Sequence, residues 1–172
     1  MSQNRNERLD VIGPSALISI GEQDNIPAKI DTGASSSSIW ATDIKVTADG
    51  KLHCVLFDKE SPFYTGEVLS FDDYRVHSFR SAMGEEQIRY RVFMSIKMAG
   101  KRIKVLFSLA DRSKNSFPVL LGRRTLRGKF IVDVSLPNVK YERKPTSEVD
   151  LEEFKKDPLK FHQKYVIQKG EK

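Results

Sequence analysis

The stretch Ile30-Asp31-Thr32-Gly33-Ala34 ends an apolar strand with a carboxylate, a hydroxyl and a glycine. Residues 26–30 alternate apolar and polar side chains, as a half-buried strand does. A carboxylate at such a strand end is well placed to face a cleft. Thr32 can hydrogen-bond locally to hold the loop, and Gly33 permits close approach of a substrate or partner backbone. Strand ends are also rich in Asp and Gly for structural reasons alone, so this stretch by itself leaves both interpretations open.

Short apolar runs separated by turn residues account for most of the chain and predict an all-β domain. The predicted strands are residues 16–20, 26–30, 38–41, 51–57, 74–79, 88–98, 102–110, 117–121 and 130–134. One helical turn is predicted at residues 123–127, where Gly128 ends it. The sequence divides into a polar segment 1–13, a β domain 14–136 and a charged tail 137–172 with helical signals.

A second motif occurs late in the β domain, where Leu120 and Leu121 precede Gly122 and Arg123. Asp-Thr-Gly-Ala followed by this motif resembles the signature of the retropepsin-like aspartic peptidases. The chain is most similar to a bacterial family of that superfamily known by the name ATP-dependent zinc protease. The recurrent elements of that family are Ile-Asp-Thr-Gly-Ala, Arg-Ser-x-x-Gly and Phe-Pro-x-Leu-Leu-Gly-Arg-x-x-Leu, which ends in Val-Asp. They match residues 30–34, 80–84, 117–126 and 132–133 here.

This resemblance, which covers about residues 14–134, implies a closed retropepsin-like barrel with one short helix and a flap hairpin. The flap tip would consist of Ser81, Ala82, Met83 and Gly84. Relative to viral enzymes, residues 44–70 look like an insertion. Viral enzymes also carry an acidic residue where this chain has Ser35, so Arg123 is predicted to need a different partner.

The resemblance also implies a mechanism in which two carboxylates hold one proton and activate a water molecule. The chain contains a single Asp-Thr-Gly, so a homodimer is expected, with Asp31 as the catalytic residue of each copy. Thr32, Gly33 and Ala34 would support the catalytic loop, and the flap would close over a peptide or protein substrate. A second hypothesis is a binding module of the same fold that holds a peptide or protein without hydrolysis.

The resemblance and the motifs also lead to expectations about partners and cofactors. Members of the family often neighbour ATP-grasp amino-acid ligases, so the resemblance implies such a ligase as a partner. No cofactor and no metal are expected, because the chain lacks a Gly-Lys-Ser/Thr phosphate loop and a His-Glu-x-x-His zinc motif. His53, His77 and His162 do not form a zinc pattern, and Cys54 is interpreted as a small core residue.

Composition narrows the remaining classes of partner. The 172 residues include 29 Lys or Arg, 23 Asp or Glu and one Cys, for a net charge of +6. The basic residues are scattered and lack nucleic-acid signatures, so no nucleic-acid partner is predicted, while an acidic substrate or partner stays open. No apolar run suits a membrane helix or a secretory signal, which predicts a cytoplasmic protein without a membrane partner.

Overall fold

The computed structural model describes residues 9–80, 86–141 and 149–167, and strands dominate these ranges. The strands are β1 (Asp10–Ile12), β2 (Ser15–Ile20), β3 (Gln23–Asp31), β4 (Ser37–Val46), β5 (Leu52–Leu56), β6 (Val68–Phe71), β7 (Tyr74–Arg80), β8 (Glu86–Met98), β9 (Lys101–Ala110), β10 (Val119–Gly122) and β11 (Phe130–Val132). The helices are α1 (Arg123–Leu126), α2 (Leu151–Lys156) and α3 (Pro158–His162), and a π-helical turn, Gln163–Ile167, follows α3.

Six strands form a closed barrel in the order β10, β3, β2, β8, β9 and β4, and β4 pairs back onto β10. β10 runs parallel to β3, and β4 runs parallel to β9, whereas the other neighbours in the ring are antiparallel. Closure gives each of these strands a neighbour on both sides. The prediction of an all-β closed barrel with short helices is therefore confirmed.

The barrel interior is filled by alternate side chains of its strands, because residues two apart on a strand face the same side. Ile39, Val92, Phe107 and Leu121, from four different strands, are fully buried there. Burying a side chain of this size contributes about 1.5–3 kcal/mol. The core therefore depends on strands that are distant in sequence and fixes where their ends lie.

Residues 44–70, which looked like an insertion, add a layer to this core. β5 pairs antiparallel with β4 on one side and with β6 on the other. Leu52, Cys54 and Phe57 are fully buried in the same cluster as the barrel side chains. The segment is thus part of the packed structure.

A two-stranded parallel sheet joins β1 to β11, with Val11 opposite Ile131. Ile12 and Phe130 are buried in the core, whereas Val11 and Ile131 are 56% and 51% exposed on the other face. Residues 10–12 therefore pair with the last strand of the barrel domain, although the sequence places them in a polar N-terminal segment.

The charged tail contains the helical structure expected of it. Asp150 accepts a hydrogen bond from the Glu152 amide and caps α2, and Asp157 accepts one from Lys160 and caps α3. Pro158 occupies the first turn of α3, where its missing N–H costs nothing. In the described part of the chain, no helix is long and apolar enough to cross a membrane.

Candidate active site

Asp31 is the last residue of β3, and its carboxylate organises the loop that follows. Oδ1 accepts hydrogen bonds from the backbone N–H groups of Gly33, at 3.1 Å, and Ala34, at 3.0 Å. This side-chain turn holds the loop in one conformation. Oδ2 takes part in neither bond. Thr32 and Gly33 are exposed beside it.

The two sequence motifs lie side by side at the end of the barrel. β10 runs parallel to β3, which places Leu121 opposite Ile30 and Gly122 opposite Asp31. Leu121 is fully buried and anchors β10 in the core, while Leu120 is half-buried. The carboxyl ends of two parallel strands therefore bring Gly122 and Arg123 to the Asp31 loop.

Arg123 holds that loop through its backbone and its side chain. Its N–H donates to the Ala34 carbonyl at 2.8 Å. Its Nη1 donates to the Gly33 carbonyl, also at 2.8 Å. The Gly33 carbonyl is therefore the partner of the Arg123 side chain. It replaces the acidic side chain that viral enzymes carry where this chain has Ser35.

Gly122 permits a close approach that any side chain would prevent. A Cβ at this position would lie 2.5 Å from the Ser36 carbonyl oxygen and 2.8 Å from that of Ala34. The Gly122 N–H donates to Ser37 Oγ at 3.1 Å, and Ser37 Oγ lies 2.8 Å from Thr125 Oγ1. Sequence reasoning missed this buried hydroxyl pair, for which the run of four serines was the available signal.

Arg112 is a second residue that sequence reasoning missed, and no motif marks it. Its Nε donates to the Phe117 carbonyl at 3.0 Å, and Nη1 donates to Ser38 Oγ at 2.9 Å. Burial lowers the pKa of its guanidinium, the positive charge of Arg89 lowers it further, and Asp31 acts in the opposite direction. Arg112 therefore places positive charge within electrostatic reach of Asp31.

A groove of about 630 Å³, which we call the Thr32 groove, opens beside this loop. Thr32 and Ser35 line one part of it, and Arg123, Arg124 and Arg127 line another. Basic residues of α1 and of its C-terminal end thus border the candidate site.

The predicted flap is described only in part. The flap tip residues Ser81, Ala82, Met83 and Gly84 fall outside the described residues, whereas the flanking strands β7 and β8 pair from Tyr74 opposite Val92 to Arg80 opposite Glu86.

The candidate metal ligands are not brought together where the structure can be described. Cys54 is fully buried, and burial raises the pKa of its thiol to about 11, so it is a protonated core residue at neutral pH. No group of three His, Cys, Asp or Glu side chains in residues 9–80, 86–141 and 149–167 is arranged to hold a metal ion. The described residues therefore do not fit the zinc implied by the family name, and His53, His77 and His162 form no site.

Comparison with known families decides the classification. A family model described as "RimB-like: Retropepsin-like aspartic endopeptidase RimB" matches residues 11–143. The chain belongs to the RimB-like family. The resemblance to retropepsin-like peptidases drawn from the sequence motifs is thereby confirmed.

Relatives of this RimB-like chain include two longer proteins. It is 27% identical over 113 residues to a "Probable alpha-L-glutamate ligase" of Shewanella pealeana, a match that covers 64% of this chain and 25% of that protein. A protein of the same name from Shewanella halifaxensis has the same identity and coverage. The RimB-like chain thus spans about a quarter of the length of these curated relatives.

A solved structure shares the fold of the RimB-like chain. The crystal structure of a Legionella pneumophila protein of unknown function (DUF785) superposes with a TM-score of 0.56 at 25% sequence identity. The match covers 76% of this chain and 97% of that protein.

Proposed function

We propose that this RimB-like chain is a homodimeric, cytoplasmic aspartic-type endopeptidase in which each copy supplies one catalytic Asp31. The observation that carries the proposal is the position of Asp31, in a loop held by its own Oδ1 and by Arg123. The chain has a single Asp-Thr-Gly, which amounts to half of a carboxylate pair. A twofold axis beside Asp31 would complete that pair.

Such a pair would hold one proton, because two like charges in contact do not both ionise. The ionised carboxylate takes a proton from the bound water while the water oxygen attacks the peptide carbonyl carbon. The other carboxyl group donates its proton to the carbonyl oxygen. Collapse of the tetrahedral intermediate, with proton transfer to the leaving nitrogen, breaks the C–N bond and restores the shared proton.

We infer that the substrate is an acidic peptide, and specifically one of α-linked glutamate. Arg112 places positive charge near Asp31, and Arg123, Arg124 and Arg127 border the Thr32 groove. Guanidinium groups match carboxylates in geometry and charge. Relatives named as alpha-L-glutamate ligases support the same substrate class. We further propose a glutamate ligase as the partner whose product this chain hydrolyses.

The test is the cleavage of oligo-α-L-glutamate, followed as newly formed amino groups, by wild type and Asp31→Asn. The side-chain amide of this variant retains an oxygen that can accept the Gly33 and Ala34 bonds, so the loop is expected to persist. The rate is expected to fall by roughly 10²–10⁴-fold because the acid–base group is lost. Asp58→Asn is the matched control, since Asp58 also accepts a backbone N–H two residues on, at 3.0 Å from Glu60, outside the site.

Mixing experiments test the shared site. Adding excess Asp31→Asn protein to wild type is expected to lower the wild-type rate, because each mixed dimer has only one catalytic carboxylate. Equal cleavage by wild type and Asp31→Asn would contradict the aspartic mechanism. Binding of the peptide without any cleavage by wild type would instead support the alternative of a binding module.

A further inference from the structure

A second cleft, which we call the Phe93 cleft, is lined by residues of β8, β9 and α1 and has a volume of about 200 Å³. Arg91, Lys104, Arg124 and Lys129 line it together with Phe93. The lining residues that the structure describes include no Asp or Glu. The cleft therefore concentrates positive charge without an opposing carboxylate in its wall.

The cations of the Phe93 cleft lack anionic partners in the described part of the chain. Arg91 lines the cleft, and its Nε is buried without a hydrogen-bond acceptor. Lys104 Nζ lies 4.8 Å from the centre of the Phe93 ring, and the guanidinium carbon of Arg75 lies 5.2 Å from that centre. The described ion pairs involve none of these residues. A buried donor without an acceptor is costly, and several cations lie around it, so the cleft favours an oxyanion.

The Phe93 cleft is connected to the candidate active site by shared residues. Arg124 lines both the Phe93 cleft and the Thr32 groove. Arg91 lies two residues along β8 from Arg89, the residue whose charge acts on Arg112. Residues two apart on a strand are about 6.8 Å apart on one face. Alternate side chains of an extended peptide have the same spacing, so carboxylates of one acidic peptide could meet successive cations.

We propose that the Phe93 cleft is a distal substrate subsite that binds side-chain carboxylates of an acidic peptide several residues from the bond being cleaved. The identity of the peptide rests on the proposed function. A phosphate group has similar oxyanion chemistry. Continuity with the Thr32 groove through Arg124 favours the peptide, and the experiment separates the two sources.

The experiment uses the entire 172-residue chain with the substitution Asp31→Asn, which is expected to hold the peptide with greatly reduced cleavage. Binding of fluorescently labelled oligo-α-L-glutamates of increasing length is measured by anisotropy. Affinity is expected to rise with length until the peptide reaches the cleft. Adding Arg91→Gln and Lys104→Gln is expected to weaken binding of long peptides roughly 10- to 100-fold, because two charge-assisted bonds are lost, and to leave short peptides unaffected.

Lys97→Gln is the matched control, since Lys97 is exposed on the same strand but does not line the cleft. Equal weakening by Lys97→Gln and by Lys104→Gln, each of which removes one positive charge, would overturn the proposal, since net charge alone would then explain binding. Lys104→Gln alone, at an exposed position, serves if the double variant does not fold. It is expected to weaken binding about tenfold.

A competition arm identifies the source of the oxyanion. If inorganic phosphate binds in a manner that depends on Arg91 and Lys104 while long peptides bind independently of them, the carboxylate subsite is overturned. Length-dependent binding without hydrolysis by wild type would refute the endopeptidase and keep the subsite. Hydrolysis without length-dependent binding would support the endopeptidase and refute the subsite.

Discussion

At the scale of single residues, Gly122 allows the two motifs to lie in contact, because the space beside it has no room for a side chain. We predict that Gly122→Ala destabilises the protein by about 1–3 kcal/mol, as overpacking does, since its Cβ would lie 2.5 Å from a backbone oxygen that cannot rotate away. The displaced carbonyls belong to Ser36 and Ala34, in the loop that follows Asp31, so hydrolysis is expected to be lost as well. Urea unfolding and peptide cleavage measure the two effects.

Gly21→Ala is the comparison for this substitution. Gly21 has φ of +59°, and no atom lies within 4 Å of an added Cβ. A left-handed conformation costs a non-glycine residue about 1–2 kcal/mol, so Gly21→Ala is expected to lower stability without affecting cleavage. Full activity in Gly122→Ala would show that the close approach is unnecessary.

At the residue level, the sequence identified the two motifs but not the contacts that their residues make. Gly122 lies opposite Asp31 because β10 pairs in parallel with β3. The bond from Arg123 to the Gly33 carbonyl joins residues 90 positions apart. No local pattern indicates which carbonyl such a side chain reaches, or that Arg112 is buried near Asp31, because both depend on the closure of the barrel.

At the scale of elements, the four-residue helix α1 is stabilised by its contacts, since one turn is too short to form on its own. We predict that Ser37→Ala costs about 1–3 kcal/mol, because the buried Gly122 N–H and Thr125 hydroxyl both lose their partner. Thr125→Val removes only one of these bonds and is expected to cost less. Urea unfolding of the two variants measures the difference.

A double-mutant cycle over Ser37→Ala and Thr125→Val measures the link between β4 and α1. The free energies of unfolding are expected to be non-additive by about 0.5–3 kcal/mol, as for directly bonded residues. Strict additivity would mean that the 2.8 Å contact contributes nothing to holding α1 beside the Asp31 loop.

Long elements with clear periodicity were predictable, and so were the short apolar runs of β10 and β11, whereas two other short strands were not. The predicted strands at residues 88–98 and 102–110 correspond to β8 and β9, whose alternation is long and regular. β1 and β6 have three and four residues and were absent from the predicted strands. Such runs are too short to show a period, and they form strands because β11 and β5 are available to pair with them.

At the scale of the whole molecule, the exposed face of the β1–β11 sheet is our candidate surface for the proposed dimer. Val11 and Ile131 form an apolar pair there, and Phe130 and Val132 of β11 line the Thr32 groove. We predict that Ile131→Glu produces monomers and abolishes hydrolysis, because a buried charge at the interface is costly and each monomer has one Asp31. Sedimentation and cleavage assays at several protein concentrations measure both.

Val68→Glu is the matched control for that surface. Val68 is 57% exposed, close to the 51% of Ile131, but lies on β6. It is expected to leave both the oligomeric state and the rate unchanged. A dimeric and fully active Ile131→Glu protein would place the interface elsewhere.

The parallel pairing of β1 with β11 also has a mechanical meaning. Tension applied between the segments that flank these two strands would pull β1 and β11 along their length in opposite directions. The hydrogen bonds of a parallel pair would then be loaded together in shear, instead of being opened one after another. Where such a domain is joined to other domains at both ends, the β1–β11 sheet would bear a pulling force before the force reached the loop that carries Asp31.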